Sequence, residues 1–220
     1  NRDVTALPAY GRGKKPVLFL AHAAAAEDTG SGGSNMRHLT GYTGALFERL
    51  LASTGVTYED WCYTAMVPYH VKSPLAEDIA WGKPFLDTLV AEVSPSVIVC
   101  LGKKPFDTLS KVKMSQKEVL GGLFHTDVYD TALMCMETLK VLARKPERIE
   151  RMRLDLRTLK DWLDELRGVV RVSLPETHYV VDSMEKMKSM LHNFDNNRER
   201  LLAVDCDWGR DPENPGLPVT

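Results

Sequence analysis

The 220-residue sequence lacks the features of several protein classes. Its four cysteines form no CxxC pair, so neither a zinc site nor a four-cysteine iron–sulfur site is predicted. No apolar run reaches the length of a transmembrane helix, and no signal peptide precedes the fold. The formal net charge of -2 excludes strong overall attraction to nucleic acid, but a local basic face is compatible with it. These absences favour a globular cytoplasmic protein with reduced, buried thiols and no membrane partner.

The stretch Pro16–Gly33 joins an apolar strand to a loop of small residues. Val17–Leu20 is predicted as a buried strand, after which the chain passes through alanines and His22 into a Gly/Ser-rich loop. In α/β proteins a ligand site commonly lies where a buried strand ends in such a loop. The alternative is a core strand followed by a flexible loop, with His22 merely hydrogen-bonded.

Four predicted strands alternate with helical segments up to residue 168. The strands are Val17–Leu20, Trp61–Val67, Val97–Leu101 and Ala132–Met136. This alternation predicts an α/β fold in which helices cover both faces of a four-stranded parallel sheet. We assign residues 1–15 to a polar N-terminal arm and 16–168 to this domain. Residues 169–220 are assigned to a linker and the start of a further domain, predicted as a β-α-β fragment.

Two details of the predicted elements depend on single residues. The helix expected from about Leu75 to Val93 contains Pro84, which predicts a kink or a helix in two pieces. Phe85 is expected on the inward face of this helix. The segment Val119–Asp130 is predicted to form a hairpin or loop hinged at its glycines.

Basic residues are concentrated in two segments. Lys103 and Lys104 follow the third strand in a turn that leads into a short helix, where they and the backbone amides would meet a phosphate. A solvated turn with two ordinary surface lysines is the alternative. The segment Lys140–Arg153 likewise either contacts phosphate or forms a solvated charged face. Its basic residues include Arg144, Lys145, Arg148, Arg151 and Arg153.

Four segments carry a resemblance to a known family. They are Gly41–Leu51 (GYTGALFERLL), Trp61–Pro74, Phe85–Leu109 (FLDTLVAEVSPSVIVCLGKKPFDTL) and Arg144–Leu156. These segments resemble the uracil-DNA glycosylase superfamily, in particular its bacterial and archaeal iron–sulfur type (family 4-like). The resemblance implies a three-layer α/β/α fold around a four-stranded parallel sheet, with DNA as the partner.

The residues that carry the chemistry of this family are replaced. His22 stands where the resemblance places the acidic residue that positions the attacking water, and Leu39 where an aromatic stacks on the flipped base. Ala65 replaces the asparagine that reads uracil, and Thr138 falls on the histidine of the His-Pro-Ser motif. The cysteines of the family's iron–sulfur cluster are absent, so no cofactor is expected in this domain.

These replacements predict that uracil excision is absent or very weak. Ala65 has no side chain to hydrogen-bond to a base, and Leu39 cannot stack as an aromatic does. The domain is therefore interpreted as a pseudoenzyme in which no catalytic residue is assigned. The alternative is a divergent glycosylase with a replacement acid–base pair. Its members would come from His22, His70, His125, Glu27 and Asp28.

The segment Thr177–Asp207 resembles the first strand-helix-strand of a DnaQ-like 3′–5′ exonuclease. Asp205 and Asp207 would then be the two carboxylates that hold divalent metal, Mg or Mn, in a complete exonuclease domain. A strand that ends in acidic turn residues is the alternative. A glycosylase-like domain followed by an exonuclease start resembles the N-terminal region of a phage-type family A DNA polymerase. This order implies a bacteriophage protein in the host cytoplasm whose partners are DNA and further polymerase and exonuclease domains.

Three functions are compatible with these patterns. The first is a non-catalytic DNA-binding or accessory module in DNA replication, with Lys103, Lys104, Arg144 and Lys145 on its DNA-binding face. The second is an active glycosylase for uracil or another base. The third is a structural domain that docks the exonuclease and polymerase parts.

Overall fold

The computed structural model describes residues 5–11, 13–29, 36–126, 128–169 and 188. The chain divides into two compact units, Asn1–Val170 and Arg171–Thr220, and the sheet with its flanking helices belongs to the first unit. Apart from residues 169 and 188, the predicted β-α-β fragment lies outside the described residues. The candidate metal ligands Asp205 and Asp207 lie there with it.

The first unit is built around one mixed sheet with helices on both faces. Its strands are β1 (Val17–Ala24), β2 (Trp61–His70), β3 (Val97–Leu101), β4 (Leu123–Thr126) and β5 (Thr131–Met136). Its α-helices are α1 (Tyr42–Ser53), α2 (Ala76–Val93), α3 (Lys103–Leu109), α4 (Gln116–Val119), α5 (Leu139–Arg144) and α6 (Ile149–Leu166). Short 3-10 helices cover Glu27–Thr29 and Pro146–Arg148. The strand order is β2-β1-β3-β5-β4.

Two apolar cores hold the layers together. On one face, Phe19 of β1 packs edge-on against Phe47 of α1 at 4.9 Å between ring centroids, within a core that includes residues of α5 and α6. On the other face, Leu18, Leu20 and Cys100 pack against residues of α2, α3 and α4. Because side chains alternate along a strand, a strand such as β3 that is buried on both faces must be apolar throughout. The predicted α/β/α architecture is confirmed.

The sheet has one strand more than the four predicted. β4 pairs antiparallel with β5, from Leu123 opposite Met134 to Thr126 opposite Thr131, so the expected hairpin supplies an edge strand. The four predicted strands are present and mutually parallel, and β1 and β2 extend further than expected. β4 was not predicted as a strand of the sheet, because it has only four residues, is half-exposed and shows little of the apolar alternation that identifies a strand.

The N-terminal arm is not simply a polar extension. Leu7 is buried, and its backbone amide donates to the carbonyl of Pro68 at 2.6 Å. Tyr10 and Tyr63 exchange two backbone hydrogen bonds of 2.8 Å as an antiparallel bridge. The arm therefore pairs with β2 along the edge of the sheet.

Helix α2 departs from both details predicted for it. It runs continuously from Ala76 to Val93 with Pro84 inside it, so the two-piece alternative is wrong. Gly82 approaches the backbone of Met66 so closely that a side chain there would collide with its carbonyl oxygen. This contact fixes the inner face of the helix, and Phe85 is 51% exposed rather than inward.

Candidate functional site

The carboxyl edge of the sheet is the candidate site, because β1, β2, β3 and β5 are parallel and end on the same side. His22 lies near the end of β1 and Ala65 in β2, while Leu39 precedes α1 and Thr138 follows β5. The four predicted positions thus come from four separate segments. The structure divides these positions between the two faces of the sheet and the loops beyond it.

An apolar corner, made of Ala21, Leu39 and Ala65, lies on the face that packs against α1 and α6. Ala21 pairs with Ala65 in the parallel register, and Ala65 is 3% exposed. Leu39 is also buried and belongs to the same core. None of these side chains has a hydrogen-bonding group, so the corner offers no donor or acceptor side chain to a nucleobase.

Leu39 is held in an unusual backbone conformation. Its φ is 64°, in the left-handed region that β-carbon sterics disfavour. Gly44 of α1 packs directly against the backbone of Leu39, where any side chain would collide with it. Leu39 is therefore fixed in the core and is not displayed for stacking on an extruded base.

His22 belongs to the opposite face, one residue beyond Ala21, because side chains alternate along β1. Partial burial lowers the pKa of its imidazole, and the positive charges of Lys104 and Lys140 lower that pKa further. The imidazole is therefore neutral at pH 7. Among the described residues it has no hydrogen-bond partner, so the interpretation of His22 as a hydrogen-bonded core histidine finds no support.

Thr138 has a structural role at the start of α5. It is the N-cap of α5, and its hydroxyl accepts a long hydrogen bond of 3.4 Å from the amide of Val141. Its methyl group faces Gly102, whose φ of 105° and lack of a side chain permit the close approach. A threonine cannot supply the proton that a histidine gives to an anionic leaving base at neutral pH.

We call four basic residues that follow the ends of β3 and β5 the basic face: Lys104 of α3, Lys140 and Arg144 of α5, and Lys145. The charges of Lys104 and Lys140 act on His22. All four side chains are exposed, and Lys140 and Arg144 are four residues apart on the same side of α5. Within the described ranges, none of the four forms an ion pair with an acidic side chain. The basic face therefore presents uncompensated positive charge to solvent.

Other basic residues of the same segments are already paired. Lys103, expected on the DNA-binding face, forms an ion pair with Asp107 one turn along α3. Nη1 of Arg148 lies 3.5 Å from Oε1 of the buried Glu137. Nε of Arg151 lies 3.0 Å from Oδ1 of the buried Asp155. Arg153 pairs with Glu150. Of the five basic residues named in the segment Lys140–Arg153, Arg144 and Lys145 are thus the two without an acidic partner among the described residues.

The structure brings Asp28 together with His38, a residue that sequence reasoning missed. Nδ1 of His38 lies 3.5 Å from Oδ2 of Asp28, and the histidine is completely buried. Asp28 accepts hydrogen bonds from the amides of Thr40 at 3.1 Å and Ala25 at 3.3 Å. Burial by itself would raise the pKa of Asp28, but these bonds and His38 outweigh it, so the pKa is lowered. Asp28 therefore ties the end of β1 to the start of α1.

The other candidates for a replacement acid–base pair are dispersed. Nδ1 of His70 lies 3.4 Å from the carbonyl oxygen of Ala24. His125 on β4 faces Asp130 at 3.5 Å, beside the residues where β5 begins and thus away from the carboxyl edge. Glu27 is exposed and packs against Gly41. Asp28 and His38 are therefore an acid and a base whose side chains the structure brings together near this edge.

Two surface depressions of about 650 and 670 Å³ lie outside these positions. One lies between α2 and the turn before β5, and the other lies beside α3. Neither is lined by His22, Leu39, Ala65 or Thr138.

Metal ligation and membrane insertion find no support in the described part of the chain. Its His, Cys, Asp and Glu side chains form no group of three or more suited to a metal ion. The three cysteines described there are free and buried, and burial raises the pKa of Cys62 to about 12. None of the helices in that part is long and apolar enough to cross a membrane.

The fold and the position of the site define a three-layer α/β protein whose candidate site lies at the carboxyl edge of a mostly parallel sheet. Residues 8–167 match the family model described as the uracil DNA glycosylase superfamily, and the chain belongs to this superfamily. The crystal structure of wild-type SMUG2 from Pedobacter heparinus is similar to this chain with a TM-score of 0.44 and 9% sequence identity. The similarity covers 70% of this chain and 77% of that one. Comparison with curated proteins gives no match.

Proposed function

We propose that this chain is a non-catalytic DNA-binding module with a glycosylase fold, acting as an accessory part of a DNA polymerase in replication. The observation that carries the proposal is the basic face, whose four exposed cations have no acidic partner among the described residues. Phosphates attract such a surface whatever the base sequence, and binding releases counterions from DNA. The module is therefore expected to bind DNA with strong salt dependence and little sequence preference.

The electrostatics of the edge argue against base excision. Breaking an N-glycosidic bond builds positive charge on the sugar and negative charge on the departing base, so a carboxylate near the sugar favours it. His22 stands where the family's acid belongs, beside Lys104 and Lys140, and this surrounding positive charge opposes an oxocarbenium-like sugar. The apolar corner adds no group that would hold an extruded uracil.

Two measurements test this proposal on the whole 220-residue chain. In gel-shift titrations with single- and double-stranded oligonucleotides, we expect binding at 50 mM salt that weakens steeply by 200 mM. In an incubation with labelled uracil-containing DNA followed by alkali, we expect no strand cleavage at abasic sites. Absence of any shift at low salt would refute DNA binding, and accumulation of abasic sites would refute the non-catalytic assignment.

A divergent glycosylase is the second candidate, favoured by the buried pair of Asp28 and His38. In that case the pair would supply an acid and a base near the end of β1. Incubation with DNA carrying several damaged bases separates the two candidates. Excision that is lost in both Asp28→Asn and His38→Gln, with the fold intact, would establish the enzyme.

A docking domain for polymerase or exonuclease parts is the third candidate, favoured by exposed aromatics on α2. Trp81 is 38% and Phe85 51% exposed, with ring centroids 4.9 Å apart. This role predicts that the chain binds no DNA, whereas its deletion destabilises the longer protein. The gel-shift titration therefore distinguishes docking from DNA binding.

The polymerase assignment rests on the resemblance of Thr177–Asp207 to the start of an exonuclease, where Asp205 and Asp207 would hold Mg or Mn. Reading the coding sequence beyond the codon for Thr220 tests it. Further exonuclease motifs followed by polymerase motifs would support the assignment. A coding sequence without them would remove both the polymerase partners and the metal site.

A further inference from the structure

Three basic residues lie on three elements that begin or end at the carboxyl edge of the sheet. His22 comes from β1, Lys104 from the first turn of α3, and Lys140 from the first turn of α5. The charges of both lysines act on the imidazole of His22 and lower its pKa, after the larger effect of burial. The three side chains therefore belong to one electrostatic site.

The backbone holds this site together. Leu20 of β1 pairs with Cys100 of β3, so the next residues of β1 run towards Gly102. The amide of Gly102 donates to the carbonyl of Met136 at 2.8 Å, which ties the end of β3 to the end of β5. The Gly102–Thr138 contact then brings the starts of α3 and α5 together. The sheet itself, rather than a loop, sets the positions of Lys104 and Lys140.

No negative charge among the described neighbours neutralises the site. In the sheet, His22 lies between Ala21 and Ala23 of β1, whose partners in β2, Ala65 and Val67, carry no charge. Lys103 of α3 is paired with Asp107. Asp28, in the turn after β1, is engaged by Thr40 and His38. Asp78, in the first turn of the helix α2 that packs on the same face of the sheet, accepts hydrogen bonds from the amide of Leu75 at 2.8 Å and from the hydroxyl of Tyr69. An anion would therefore enter a site with two lysines, while Asp28, Asp78 and Asp107 are each bound to other groups.

We propose that His22, Lys104 and Lys140 bind a phosphate group of a DNA strand at the place where a glycosylase holds its water-positioning acid. This inference rests on the proposed DNA-binding function and names the contact that the former active site now makes. Two ammonium groups and an imidazole N–H are suitable donors to phosphate oxygens. The replacement of an acid by His22 thus changes the ligand of the site from a water to an anion.

The site links phosphate binding to proton uptake. Without phosphate, burial and the two lysines keep the pKa of His22 low and the imidazole neutral. A bound phosphate offsets the lysine charges and favours the imidazolium, so the pKa of His22 rises. Binding then takes up one proton and strengthens as the pH falls from 8 to 6, by about threefold to tenfold.

Histidine NMR on the whole chain tests this directly. The pKa of His22 is measured in the free protein, with a 12-nucleotide single strand, with a 12-base-pair duplex, and with inorganic phosphate. We expect DNA and inorganic phosphate each to raise the pKa of His22 and to leave the ring resonances of His125 unchanged. His125 is the internal control because it lies at the other end of the sheet.

The outcomes separate this inference from the proposed function. If DNA binds and the pKa of His22 does not rise, the phosphate site is refuted while DNA binding stands. If inorganic phosphate raises the pKa of His22 but neither DNA binds, the residues form an anion site that does not hold a DNA phosphate, and both this inference and the DNA-binding function fail. If nothing binds, both fail.

Variants give a second readout. His22→Gln is expected to bind DNA with an affinity that no longer changes between pH 8 and pH 6, and Lys104→Ala/Lys140→Ala to abolish the rise in the pKa of His22. His125→Gln should keep the pH dependence of the unmodified chain. Thermal denaturation verifies that each variant is folded. A pH dependence that survives in folded His22→Gln would overturn the inference.

Discussion

The apolar corner and the basic face occupy two parts of the same sheet edge, and they differ in what they can hold. The apolar corner is buried, and Ala21, Leu39 and Ala65 carry no polar side-chain atom. The basic face is exposed and carries four charges without acidic partners among the described residues. The chain has the fold of the superfamily, and under the proposed function the basic face is the part of this edge that contacts DNA.

This contrast shows that two properties of a glycosylase are separable. Reading and cutting a base needs a few polar groups held in fixed positions, and one wrong residue removes most of the effect. Attraction to DNA needs only net positive charge on one surface, which many arrangements of lysine and arginine supply. The proposed function therefore requires that a superfamily member can lose the first property and keep the second.

The largest effect is expected from Asp28→Ala beside the apolar corner. The change leaves the part-buried amides of Thr40 and Ala25 without their acceptor and the buried His38 without its carboxylate, which costs about 1–3 kcal/mol of unfolding free energy. Urea denaturation measures this loss. Asp28→Asn, which keeps one acceptor oxygen, should lose less, and DNA affinity at low salt should not change in either folded variant. Equal losses in the two variants would contradict this role for Asp28.

The converse effect is expected from Lys104→Glu/Lys140→Glu on the basic face. Reversing two charges should weaken DNA binding by about 10- to 100-fold at 50 mM salt, because phosphate contacts become repulsive. Stability in urea should be almost unchanged, since both side chains are exposed. Fluorescence anisotropy with a labelled oligonucleotide measures the affinity. The matched control is Lys14→Glu/Arg157→Glu, and an equal loss of affinity in it would show that only net charge matters.

Ala65→Asn tests whether the apolar corner accepts the amide that the family uses there. Ala65 is 3% exposed in a packed core, so an amide without a partner should cost about 1–3 kcal/mol. No uracil excision should appear, because the rest of the machinery is missing. Urea denaturation and the alkali assay measure the two results. Restored excision by this single change would show that the site is closer to an active one than its composition indicates.

The smallest expected effect is a difference in DNA affinity between variants of two arginines in the same segment, Arg144 and Arg153. Arg144→Ala should lower DNA affinity by about threefold, as expected for the loss of one phosphate contact. Arg153→Ala should have almost no effect on affinity, because Arg153 is already paired with Glu150. Anisotropy titrations of the two variants at the same salt concentration give the comparison. A larger loss in Arg153→Ala would place the DNA on a different side of α6.

The sequence was a good guide where the signal is local. β3 has the bounds predicted, because five successive apolar residues fully describe a strand buried on both faces. The pairing of Asp28 with His38 could not be predicted, because it depends on the chain returning to the end of β1 ten residues later. The inner face of α2 was also misplaced at Phe85, since Gly82 and not the apolar pattern sets how this helix meets β2.

The site residues show the same division. The resemblance assigned His22, Leu39, Ala65 and Thr138 to family site positions, and that assignment stays a prediction. The sequence did not reveal that His22 and Ala65 belong to opposite faces of the sheet. It named both basic segments but not which side chains are free. Lys103 and Arg153 are not free to bind phosphate, because each forms an ion pair with an acidic residue about one helical turn away. Lys140, which the sequence placed only at the edge of a basic run, becomes a member of the basic face.

The N-terminal arm determines how this domain behaves towards other copies of itself. Through Tyr10 and Leu7 it occupies backbone groups of β2 that would otherwise form an open strand edge. Open edges are sites of self-association, in which a strand of one molecule adds to the sheet of another. A shortened chain that begins at Pro16 would retain all the predicted strands and yet expose this edge. The folding unit therefore includes residues before its first strand, and a chain shortened to Pro16 is expected to self-associate through β2.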